Sequence, residues 1–226
     1  MSSAAARGAR SEERGEREGP KRSGRVTPAV VARRLKPLVF LLALVPLAWL
    51  AWQLYTDQVR GDLVKAIEIR TGTWALRFLA LTLAITPLRR LTSQGWLQLY
   101  RRMLGLFAFF YATVHFGVYL GIDIELDWAE MGKSIVKRPY ITLGFTAWLL
   151  LLPLAVTSTK GWIRRLGPAR WNRLHRLVYA TALLATVHYL WAVKKDTFDP
   201  LVYLALFAAL LGWRAWDAWK TRTRSR

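Results

Sequence analysis

Long apolar runs, separated by short charged stretches, dominate the chain from residue 37 onward. The runs at 37–54, 73–88, 103–120, 140–156, 174–193 and 198–216 each approach the ~20 apolar residues that cross a hydrocarbon core. Only helices and closed barrels satisfy every backbone polar group inside lipid. The pattern therefore predicts an all-α integral membrane protein, a bundle of six helices. The runs at 73–88 and 140–156 are short. Arg77 lies inside the first of them, where its long side chain can reach toward a membrane edge. Pro46, Pro87 and Pro153 fall within or at the ends of spans, which neighbouring helices tolerate. No internal repeat is apparent.

Residues 1–36 are rich in Arg, Glu, Gly and Ser and nearly free of large apolar side chains. Such a segment cannot bury a core and reads as disordered. It does not resemble a cleavable signal peptide, because the first apolar run comes late and is long. The expected organisation is a basic extension at 1–36, a six-helix membrane domain at 37–219 and a basic tail at 220–226.

Charge orients the bundle. The segment before the first run is strongly basic, and the loop after it is balanced. The next loop holds Arg89, Arg90, Arg101 and Arg102 with no acid. The following one sets Asp123, Glu125, Asp127 and Glu130 against Lys133, Lys137 and Arg138. Lys160, Arg164, Arg165, Arg170 and Arg173 again lack an acidic partner, the loop near Lys194 balances, and the tail is basic. Basic loops stay in the cytoplasm, so both termini are expected there. The net charge of +20 is thus a loop property. It alternates with apolar spans, which fits a bilayer and not nucleic acid. Trp52, Trp74, Trp96, Trp128, Trp162, Trp171 and Trp191 fall near span ends, as interfacial anchors do.

The chain has no cysteine. Disulfides, iron–sulfur clusters and thiolate ligation of haem are excluded for its own side chains. Any redox role needs a bound cofactor, and the strongest candidate ligands are the three histidines. His115, on the third run, lies about six residues, or ~9 Å, short of the outer edge. His188, on the fifth, lies at the same depth. Facing imidazoles from two helices are what a six-coordinate b-type haem requires. A closed zinc site would need four ligands, and carboxylate partners are not obvious. For any single histidine, an interhelical hydrogen bond is the plainer role.

His175 sits near the cytoplasmic edge, about 13 residues or ~20 Å along the helix from His188. At ~100° per residue the two would not share a face of a straight helix. Where a partner for His175 would lie, the chain has Arg101 and Arg102. Arginine is a poor iron ligand, but it suits haem propionates or a flavin phosphate; positive-inside charge explains the pair equally well. The inner site thus stays open among a haem with a non-histidine ligand, a five-coordinate haem and a flavin.

The stretches TPLRR at 86–90, YRRMLGL at 100–106, KRPYITLG at 137–144 and VTSTKGWIRRLGPARWNRLHRLVYA at 156–180 carry a family resemblance. With His115 and His188, they make the chain resemble the MsrQ (YedZ) family within the ferric-reductase-like transmembrane domains. The resemblance spans most of 37–216. It implies a haem-binding membrane subunit carrying one or two b-type haems, with FMN. Electrons would come from a cytoplasmic flavin reductase or the quinone pool. They would go to MsrP, a periplasmic molybdopterin enzyme that reduces methionine sulfoxide in envelope proteins. In that family His115, His175 and His188 match haem-associated histidines, and Arg101 with Arg102 match a basic pair. NADPH oxidases of the same superfamily carry two histidines on each of two helices, whereas the third run here has only His115. No glycine-rich dinucleotide fingerprint is present, so oxidation of NAD(P)H is expected elsewhere and sulfoxide reduction on the partner. Two other readings remain: a quinone-linked b-type cytochrome serving another acceptor, and a haem-free transporter or assembly subunit.

Overall fold

The computed structural model describes residues 27–193 and 197–224. Among them are eight α-helices: α1 (Pro28–Tyr55), α2 (Leu63–Thr92), α3 (Gln98–Val118), α4 (Trp128–Lys137), α5 (Pro139–Val156), α6 (Lys160–Leu174), α7 (Leu177–Ala192) and α8 (Phe198–Arg224). A 3₁₀ turn (Gly95–Leu97) leads into α3, and a π-helical turn (Tyr119–Asp123) ends it. No strand occurs among the described residues.

The all-α expectation holds; the six-helix count does not carry over directly. Four segments are long and apolar enough to cross a membrane: Pro28–Tyr55, Gly95–Asp123, Pro139–Val156 and Phe198–Thr223. The apolar helix Leu177–Ala192 is shorter. Most of α6 lies in the basic segment after 156, and α4 is a short helix in the loop expected to face outward. The first helix begins at Pro28, well before residue 37, and α8 continues into the expected tail as far as Arg224. Residues 1–26 of the expected extension lie outside the described residues.

Side-chain exposure fits lipid. Leu41 and Leu42 on α1 are 62% and 57% exposed, and Leu201 and Val202 on α8 are about half exposed. Ordinary soluble bundles do not leave long helices apolar on their outer face. The core lies between α2 and α3, where Leu83, Ala108 and Tyr111 are fully enclosed. The most extensive packing is within two helix pairs, α2 with α3 and α5 with α7. The loop ends are capped: Asp62 accepts from the Lys65 N–H at 3.0 Å, and Asp127 from those of Ala129 and Glu130.

Polar side chains from other helices bond the backbone beside two helix-interior prolines. Pro87 has no N–H to give the carbonyl of Leu83, four residues earlier. The Arg214 guanidinium supplies a replacement bond to Leu83 O at 2.8 Å and also donates to the Tyr179 hydroxyl and Thr86 Oγ1. Beside Pro46, which has no N–H for the carbonyl of Leu42, the Tyr111 hydroxyl donates to Ala43 O at 2.8 Å and accepts from the Leu47 N–H at 3.2 Å. Such substitution is needed in lipid, where no water satisfies a freed backbone group.

Candidate functional site

His115 projects from the last turn of α3 and His188 from just before the last turn of α7. These helices are not packed extensively on one another; each packs on its own partner, α2 or α5. Their imidazoles face each other, with ring centres 6.1 Å apart and planes at 70°. The sequence placed the two at equal depth, and the structure brings them together.

Hydrogen bonds settle which nitrogen is free. His115 Nδ1 lies 2.9 Å from the carbonyl oxygen of Glu68 on α2. His188 Nδ1 lies 2.7 Å from that of Tyr140 on α5. A carbonyl only accepts, so both Nδ1 atoms carry the proton and both Nε2 atoms present a lone pair. The plain interhelical bond expected of a lone histidine is therefore made, and making it prepares the other nitrogen as a ligand.

A metal bonded on both sides by imidazole nitrogen at about 2 Å sets the ring centres roughly 6 Å apart, which matches the observed spacing. No group of three or more His, Cys, Asp or Glu side chains converges among the described residues. The pair therefore suits an ion that brings its remaining ligands with it, as the iron of haem does, better than a closed zinc site. Two buried hydroxyls without a partner, Tyr119 Oη one turn beyond His115 and Ser134 Oγ on α4, lie in the segments that close this end of the bundle.

The inner end is built differently. His175 follows the last residue of α6, at a break before α7, so it and His188 do not lie on one continuous helix. Its ring stacks on Trp171 at 3.8 Å. Its Nε2 lies 3.1 Å from Thr157 Oγ1, whose own proton goes to Pro153 O. Nε2 is accordingly the protonated nitrogen here, the reverse of the outer pair. Among the described residues no second histidine faces it. The two arginines point apart: Arg101 is half-buried within electrostatic reach of His175 and Arg214, whereas Arg102 is exposed.

The structure also exposes a repeat that reading the sequence missed. Each histidine closes the tetrapeptide Ala-Thr-Val-His, at 112–115 and again at 185–188. The preceding helices share Leu-x-Leu-Ala-[Ile/Val]-Thr, at 81–86 and 152–157. The acceptor carbonyls, Glu68 and Tyr140, occupy matching places on α2 and α5. The tetrapeptide that occurs twice was the available signal; the sequences around it are too different for a periodic pattern to show.

Residues 71–186 match the family of ferric reductase like transmembrane components, which covers more than half of the chain. This makes the chain a multi-pass membrane protein of the ferric-reductase-like class. Curated relatives are more specific. A protein of Xanthomonas oryzae pv. oryzae is 52% identical over 207 residues, covering 88% of this chain and 93% of the relative. One of Caulobacter vibrioides is 46% identical over 188 residues, covering 83% and 90%. Both are named protein-methionine-sulfoxide reductase heme-binding subunit MsrQ. The chain belongs to the MsrQ family.

Proposed function

We propose that the chain is the haem-binding membrane subunit of a protein-methionine-sulfoxide reductase system and carries electrons across the inner membrane. The observation that carries this reading is the pair of facing imidazoles, His115 and His188, each with Nδ1 tied to a backbone carbonyl and Nε2 left as a ligand. The names of the relatives support it. When bound, haem supplies the one-electron iron couple that no side chain of this chain can provide.

The residues do the positioning. Carbonyls of α2 and α5 hold both rings in one tautomer, so no proton must move before ligation. The aromatic cluster of Phe109, Phe116, Phe145 and Trp148 packs between α3 and α5 beside the pair and keeps that space dry. Electrons enter at the cytoplasmic end, near Arg101 and His175, from a flavin reductase or quinol. They leave at the outer end to a periplasmic molybdopterin partner of the MsrP kind. Arg101, rather than exposed Arg102, is placed to meet an anionic group there, a propionate or the phosphate of FMN. In this reading six helices cross the bilayer, with α2 and α7 completing the set and both termini in the cytoplasm.

The test is a reduced-minus-oxidised visible spectrum of detergent-purified protein, with a pyridine haemochrome assay of haem per chain. A b-type spectrum with about one haem per chain places it at His115 and His188. About two gives His175 its own. Protein without Soret absorbance, after expression with ample haem, overturns the proposal in favour of a transporter or assembly subunit.

A further inference from the structure

The two imidazoles share an unusual setting: each sets its Nδ1 side against a helix at a glycine. A Cβ built on Gly72 of α2 would sit 3.2 Å from Nδ1 and Cε1 of His115. One built on Gly144 of α5 would sit 2.8 Å from the same atoms of His188. The acceptor carbonyl is in each case four residues earlier, Glu68 for Gly72 and Tyr140 for Gly144.

That offset has a physical reason. In an α-helix the Cα–Cβ bond tilts toward the N-terminus, so a side chain covers the turn that precedes it. The side chain at position i+4 therefore shields the carbonyl of residue i. Glycine at i+4 bares that carbonyl, which can then accept from an outside donor as well as from its own helical N–H. Glycine is otherwise a poor helix-interior residue. Of the remaining described glycines, Gly95, Gly117, Gly121, Gly132 and Gly212 meet no atom within 4 Å, and Gly105 makes only an ordinary contact with Thr82. The close seats occur at the two histidines and are built twice, on separate helix pairs.

We propose that Gly72 and Gly144 are positioning residues for the metal ligands: each admits one imidazole to a bared carbonyl and so fixes its tautomer and plane. This rests on reading His115 and His188 as the haem ligands. The inference adds a requirement in α2 and α5, which carry no ligand themselves. It also ranks the two seats, because the gap at Gly144 is smaller than any real Cβ contact allows, whereas that at Gly72 asks its neighbour to move only slightly.

The experiment compares full-length holo-protein in detergent with Gly144→Ala, Gly72→Ala and the open-site control Gly117→Ala. Haem per chain, the ferric low-spin electron paramagnetic resonance signal and the midpoint potential are read. The resonance signal depends on the angle between axial imidazole planes, 70° here, and a purely structural glycine would not move it. We expect Gly144→Ala to lower haem affinity about tenfold or more, the range found for outer-shell partners of metal ligands. Gly72→Ala should keep its haem but shift the signal and the potential, and Gly117→Ala should match wild type. If Gly144→Ala fails to fold, Gly72→Ala still decides. Wild-type signal, potential and occupancy in Gly72→Ala, with or without a folded Gly144→Ala, overturn the proposal and leave the haem reading intact. Unchanged haem in a His115→Ala/His188→Ala double variant overturns that reading instead.

Discussion

The two ends of the bundle use the same residue type in opposite ways. At the outer end, two histidines donate from Nδ1 to helix carbonyls and leave Nε2 without a proton, with their ring centres 6.1 Å apart. At the inner end, a lone His175 donates from Nε2 to Thr157 and lies against Trp171. Because helix geometry repeats between the halves, the difference is one of partners. In the first half, Thr86 matches Thr157, but it receives Arg214 from α8 and not a histidine. A histidine is prepared for metal by what holds its other nitrogen, and only the outer pair is held that way.

Removing a ligand should produce the largest effect. We expect His188→Ala, and equally His115→Ala, to lose the outer haem and electron transfer with it, while His175→Ala keeps the outer spectrum. Loss of the whole Soret band in His175→Ala would erase the contrast between the ends. The side-chain bonds beside the prolines come next, one toward each end. Tyr111→Phe removes two backbone bonds beside Pro46, with Ala43 O and the Leu47 N–H, and Arg214→Gln removes the one to Leu83 O. Each should cost about 1–3 kcal/mol, read as a lowered detergent melting temperature with the haem spectrum retained. Tyr100→Phe, which removes a single bond to Ala32 O, should cost about 1 kcal/mol; a loss equal to that of Tyr111→Phe would refute the bridging role.

The apolar runs, the alternation of basic and balanced loops and the equal depth of His115 and His188 were all legible along the chain, because helix rise and membrane thickness convert residue number directly into height. Helix ends were less so. α1 starts early and α6 stops at His175, since a charged or Gly-Pro-containing stretch such as 160–174 stays helical through packing and capping that hydropathy does not register. Gly167, in the left-handed region with φ 72° just before Pro168, marks where that helix kinks.

What the sequence by itself determined is therefore the class: an all-α membrane protein without thiols, with two histidines at one level. Rotation about each helix axis was decided only by packing. It turned Arg101 inward and Arg102 out, set the His115 and His188 rings on glycines and tied Nδ1 of each to a carbonyl of another helix. Depth accumulates residue by residue, but azimuth and tautomer depend on atoms contributed by helices far away in the chain.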